Sequence, residues 1–265
     1  MLREKLIDKK VGQGKFRWRS HEVSRIEGLS DAVFGFAITL LVVSLEVPKT
    51  FTELSQMMNG FGAFAISFVL LFLVWFNQHK FFRRYGLQDA PTVWLNAALL
   101  FVVLFYVYPL KFLFTFLVNR FTGGHGEIRL PNGNIEEMIQ NDGQMGTLML
   151  IFSAGYFAVF AVFVLLHLHA YRKREMLELT TVERFDTLSS VQESALNCGI
   201  ALLSISIVLI GGARYAGYAG MIYMATGIVM GVHGYVMGSR RQKLVKQQES
   251  DPASAAALGP EFANE

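Results

Sequence analysis

The chain has 265 residues, 52% of them hydrophobic and only 17% charged, with a net charge of +3 and a mean hydropathy of +0.37. Soluble domains carry about 25% charged residues; here the apolar residues fall in long runs, which excludes an ordinary soluble globule and points to a membrane protein. The charge is too mild for nucleic-acid binding, and the single Cys198 excludes an intramolecular disulfide and argues against a thiolate zinc site.

Residues 1–24 are basic and polar, without the short apolar region and cleavage site of a signal peptide. They are expected to form a cytoplasmic N-terminal segment. Six apolar stretches then reach the roughly 20 residues that a bilayer core demands. They lie near 26–47, 56–78, 92–118, 145–170, 192–212 and 215–238. The third contains Pro109, which predicts a kink. The sixth carries the small-xxx-small pairs Gly227/Gly231 and Gly234/Gly238, which let helices approach closely. Residues 25–240 thus predict one all-α, six-helix membrane domain, and 241–265 a disordered cytoplasmic tail. No internal repeat stands out.

Lys and Arg set the orientation. Eight lie in residues 1–25, three in the 79–91 connection, four in 171–191 and four at 240–246. The alternate segments hold only Lys49, Lys111, Arg120, Arg129 and Arg214. Both termini are therefore expected in the cytoplasm of a multi-pass protein of the cell membrane. The outer 119–144 loop is acidic and rich in Gly and Asn.

The first helix has two distinct faces at 3.6 residues per turn. Gly28, Ala32, Gly35, Thr39 and Glu46 fall along one stripe, and Phe36, Leu40 and Val43 form an apolar seam beside it. The small stripe with Thr39 suits either packing against a neighbouring helix or the lining of a pore. In the first case the Thr39 hydroxyl returns to a carbonyl of its own helix. In the second, an apolar constriction gates by dewetting and hydroxyls favour cations, with Glu46 at the outer mouth. Asp31 is an acid inside the span and needs water or a partner. Arg25 is the nearest cation, yet six residues rotate it about 600° away, so a shared network requires other helices.

The run Arg25-x-x-x-Leu29-Ser30-Asp31 resembles the Arg-x-x-x-Phe-Ser-Asp signature of the transmembrane protein 175 family of potassium channels, with Leu29 in place of Phe. The end of the second span, WFNQHKFF from Trp75 to Phe82, is similar to the Trp/Asn/His-rich end of the same helix in that family. The resemblance implies a homotetramer of six-helix subunits without a re-entrant filter loop. It implies a constriction at Phe36, Leu40 and Val43, selectivity at Thr39, and pore-lining or mouth positions at Ala32, Gly35 and Glu46. It also implies a polar network of Arg25, Ser30 and Asp31 with Trp75, Asn77 and His79. Phe36 departs from the family's aliphatic residue, and Val43 from its usual Leu.

Two other readings compete. His79, His167, His169 and His233 lie near the ends of even-numbered spans, and paired histidines could ligate haem in a redox protein. A secondary transporter would show two related halves with interrupted helices. The chain lacks the motifs of common hydrolases and of phosphate-binding loops, so no enzyme and no cofactor are predicted. The expected function is passive flux of potassium ions across the lipid bilayer.

Overall fold

In the computed structural model the described residues are 16–20, 22–43, 49–51, 54, 55, 58, 60–121, 127–129 and 135–250. The chain is all-α apart from one small ribbon. Helix α1 spans Arg25–Val43, α2 Phe61–Tyr85, α3 Ala90–Phe121, α4 Asp142–Arg172 and α5 Thr181–Gly211. The last segment runs through a short 3-10 turn into α6, Ala216–Met221, and then through a second turn into α7, Ala225–Ser250. Among the described residues, α2 to α5 and the combined segment Ala213–Gln248 are long and apolar enough to cross a membrane. The remaining predicted span is α1, and residues 44–47 of it lie outside the described residues.

Several boundaries differ from expectation. The second span begins at Phe61 rather than 56 and carries Lys80, Arg83 and Arg84 inside its last turns. It stops because Gly86 takes a left-handed conformation, φ 59°, and returns its N–H to the Phe82 carbonyl. The fifth begins at Thr181, eleven residues earlier than the expected 192. The cause is a complete capping box: the Thr180 hydroxyl accepts from the Glu183 backbone while the Glu183 side chain accepts from the Thr180 backbone. Residues 241–250 are helical where disorder is expected, because α7 continues to Ser250. Pro109 sits inside an unbroken α3. The connection between α3 and α4 carries a two-stranded antiparallel ribbon, β1 Glu127–Arg129 with β2 Ile135–Glu137, Ile128 opposite Glu136.

Two apolar clusters hold the helices. One joins Phe34 and Leu41 of α1 to Phe81 and Tyr85 of α2, Leu99 of α3, and Phe163 and Leu166 of α4. The other joins Leu110 and Leu113 of α3 to Met149 and Phe152 of α4, Val208 of α5 and Ala219 of α6. Gly155 lets the Tyr106 ring lie directly on the α4 backbone, where a Cβ would collide with it. Ser153 and Ser204 bridge α4 and α5 at 3.0 Å, and Ser204 also donates to the Ala219 carbonyl at 3.1 Å. Polar contacts of this kind join helices where lipid supplies no hydrophobic drive. Gly227, Gly231, Gly234 and Gly238 have open space beside their backbones, so that face of α7 is uncovered by the described residues.

Candidate functional site

Helix α1 divides cleanly into a covered and an uncovered side. Ser30, Phe34, Ala37 and Leu41 are buried against α2 to α4. Gly28, Ala32, Gly35, Phe36 and Thr39 are exposed, Phe36 by 58%. No neighbouring atom of the described residues lies within 4 Å of where a Cβ on Gly28 or Gly35 would sit. Leu40 stands at the border, half-buried and packed on the subunit's own core. The expected seam is thus split, with Phe36 fully on the open side and Leu40 at its edge. The backbone of Val43 closes the helix as described, while its side chain and all of Glu46 lie outside the described residues.

Thr39 returns its hydroxyl proton to the Phe36 carbonyl at 2.7 Å. The acceptor is three residues back on the same helix. Because the proton is committed to the helix, the oxygen lone pairs remain on the open side. A hydroxyl fixed this way is an acceptor for a cation rather than a donor.

The polar contacts at the N-terminal side of α1 fall into two groups, one on Asp31 and one on Ser30. Trp75 donates its indole N–H to Asp31 Oδ1 at 2.7 Å, and its ring stacks on His79 at 5.4 Å. Ser30, fully buried, donates to the Ile26 carbonyl and accepts from the Asn96 amide at 2.9 Å. Asn96 in turn accepts from the buried Gln78 amide at 2.8 Å. The ladder therefore ties α1, α3 and α2 together in the apolar interior. Asp31, Trp75 and His79 thus form one group and Ser30, Asn96 and Gln78 another, while Asn77 and Arg25 join neither. One residue is about 100° of helix, so Gln78 points at α3 while Asn77 lines a cavity with Phe163 and His167. Arg25 is exposed, and among the described residues it makes no hydrogen bond or ion pair.

A strap from Phe16 to Ser20 leads into α1, and no pattern in the sequence announces it. The Arg19 guanidinium donates to Glu183 Oε2 at 2.7 Å and to the Leu177 carbonyl at 2.9 Å. Arg17 donates its backbone N–H to Glu183 Oε1 at 2.9 Å, and the pair closes a second ion bridge at 3.2 Å. Phe16 lies edge-on to Tyr85 under the Arg84 guanidinium. The strap backbone also joins the end of α2, Arg19 N to Arg83 O at 3.0 Å. Glu183 is only 2% exposed, so its charge requires both arginines.

On the same side, the turn between α2 and α3 presents Asp89. It accepts from the Thr92 hydroxyl at 2.6 Å, His169 at 2.7 Å and Lys173 at 3.0 Å. Burial opposes its ionisation, but the Thr92, Lys173 and His169 contacts outweigh that and hold its carboxyl well below the usual carboxylate range. Three of the four candidate histidines are thus otherwise engaged, while His233 Nε2 is buried without a hydrogen-bond partner among the described residues. His169 pairs with Asp89, His79 stacks on Trp75, and His167 is buried with Nδ1 on the Phe163 carbonyl at 2.8 Å. Among the described residues no three His, Cys, Asp or Glu side chains gather into a metal site.

Among the described residues, five helical segments long and apolar enough to cross a membrane, preceded by a first helix with an open small-residue face, define a polytopic α-helical membrane protein. The family model described as endosomal/lysosomal potassium channel TMEM175 matches residues 25–106. A potassium channel of Marivirga tractuosa is 39% identical over 234 residues, which cover 87% of this chain and 94% of that one. A potassium channel of Chamaesiphon minutus is 32% identical over 106 residues, 37% of this chain and 52% of that protein. The crystal structure of a variant of the potassium channel MtTMEM175, bound to a nanobody fusion, superposes with a TM-score of 0.74 at 39% identity, covering 85% of this chain and 97% of that one. The chain belongs to the TMEM175 family of potassium channels.

Proposed function

We propose that the chain is a passive, potassium-permeable channel of the cell membrane, in which four copies place α1 around a common pore. Potassium channel activity follows from the family. The family is one of channels rather than of enzymes, redox proteins or transporters. The finer reading rests on one observation: the subunit leaves uncovered the side of its first helix that carries Phe36, Thr39, Ala32 and Gly35. A small, hydroxylated face beside a bulky aromatic ring suits a narrow water-facing path. Phe36, Leu40 and Val43 form the constriction, Thr39 supplies a ring of oxygen acceptors, and Glu46 belongs to the outer mouth. Cations pay a dehydration penalty at the apolar rings that is smaller for potassium than for sodium, and the Thr39 oxygens offset part of it.

The side bearing the strap, Arg83, Arg84, Lys173 and Arg241 is cytoplasmic by the positive-inside rule. The Arg241 bond to Asp186 at 2.8 Å joins the end of α7 to the start of α5, on the side of the strap, and supports the reading that both ends of the chain face the cytoplasm.

The test is the reversal potential of the purified protein in a planar bilayer, potassium on one side and sodium on the other. A shift toward the potassium equilibrium potential supports the reading. Leu40→Ala, measured alongside, widens the path and raises unitary conductance. An unchanged conductance at equal protein levels overturns the constriction.

A further inference from the structure

Lys111 is the charge that the site described so far does not use. It stands on α3 in a stretch, residues 97–118, that holds no other charged side chain. An ammonium on a membrane span is costly and is a functional candidate by default. Ten residues of α3, about 15 Å, remain between Lys111 and Phe121. A lysine so placed ordinarily extends toward the interface along its own helix. Lys111 instead turns across to α1 and donates from Nζ to the Leu41 carbonyl at 2.7 Å. Leu41 is fully buried on the covered side of α1, one residue beyond Leu40 and two beyond Thr39.

We propose that Lys111 is a positioning residue for ion selection: its ammonium fixes the rotation of α1 at the level of Leu40 and Thr39. The proposal rests on the reading of α1 as the pore lining. A charge-assisted bond to a backbone carbonyl is short and directional, so it holds the helix itself rather than one side chain. Side-chain ends lie about 5 Å from a helix axis, so a rotation of about 20° would move them by about 2 Å. Repeated around a pore, a displacement of that size changes which ring is narrowest and whether the Thr39 oxygens reach a passing ion. The bond arrives from behind the helix, which leaves the open face unobstructed.

The experiment compares Lys111→Met, unbranched, one atom shorter and without a donor, with Lys111→Arg, which keeps a charged donor. Both are made in the full chain and reconstituted in bilayers. Two quantities are read: the potassium-to-sodium permeability ratio from the reversal potential, and hydrogen exchange across Phe36–Val43. Lys111→Met is expected to lower the ratio at least threefold and to speed exchange, while Lys111→Arg preserves both. A merely structural loss would reduce the yield of channels without moving the ratio of those that conduct, and that result overturns the proposal. A lowered ratio with unaltered exchange assigns the effect to charge alone and overturns the positioning role. Should Lys111→Met fail to assemble, Lys111→Leu, which also lacks a donor, takes the same measurements with the same expected direction. Leu40→Ala in the same bilayers separates the two readings. A conductance unmoved by Leu40→Ala removes the pore-lining assignment and this proposal with it. A conductance that rises, with the Lys111→Met ratio unmoved, removes this proposal alone.

Discussion

The Trp75 indole N–H meets Asp31 Oδ1 at 2.7 Å across 44 residues of sequence, joining the second helix to the acid of the first. The same ring stacks on His79 and touches Phe72 at 5.1 Å, so the donor is held in place from both sides. Trp75→Phe keeps an aromatic ring in that stack and removes the donor. The expected cost is about 1 kcal/mol, because Asp31 is exposed and water replaces part of the bond. Thermal melting in detergent reads it. Adding Asp31→Asn to Trp75→Phe should then cost less than Asp31→Asn does alone.

The ladder Gln78–Asn96–Ser30 is buried throughout, so it should respond more strongly. Asn96→Ala leaves the Gln78 amide without an acceptor and the Ser30 hydroxyl without its donor. A loss of roughly 1–2 kcal/mol is expected, the upper range for interhelical polar contacts in membranes. Ser30→Ala combined with Asn96→Ala should fall short of the sum of the single losses. Full additivity in melting experiments would mean that the ladder is not one unit.

Thr39 offers a test in which shape and chemistry separate. Thr39→Val keeps the branched volume and deletes the oxygen, and is expected to lower the potassium-to-sodium permeability ratio severalfold. Thr39→Ser restores the acceptor and should keep the ratio near that of the parent. If both substitutions leave it unmoved, the hydroxyl serves only its bond to the Phe36 carbonyl.

Acid should weaken the turn between α2 and α3. The Asp89 carboxyl is held below its unfolded value by Thr92, Lys173 and His169 against the opposing effect of burial. A carboxyl depressed in the folded state contributes stability above the unfolded pKa, about 3.9, and loses it as the pH falls toward the folded one. The melting temperature is therefore expected to drop on acidification below about pH 4. Asp89→Asn should melt lower near neutrality and show a shallower decline in acid. Parallel curves for the two proteins would remove Asp89 as the source.

The architecture is legible in the sequence where composition and periodicity carry it. Long apolar runs give the spans, and a 3.6-residue stripe predicts the uncovered face of α1 with Ala32, Gly35 and Thr39 on it. Side chains that meet across helices are less legible. Asn77 is expected in the network and Gln78 occupies it, because one residue of helix decides which neighbour an amide meets. Asn96, an amide within an apolar span, is itself a readable signal of a polar contact. Thr180 followed three residues later by Glu183 likewise marks the true start of α5. The strap at Phe16–Ser20 leaves no such trace. It has no period, and its partners at Leu177 and Glu183 stand about 160 residues away.

That separation bears on how the protein is made. Glu183 is the 166th residue that a ribosome adds after Arg17. The first three helices have by then emerged, since α3 ends at Phe121. The two arginines must wait, solvated, until the fifth helix begins. Closure of the strap is therefore a late event of biogenesis, and it joins the entrance of the first helix to the start of the fifth. Chains released before Glu183 would carry α1 to α4 with the strap unfastened, a difference that quality-control proteases acting on the exposed N-terminal side could read.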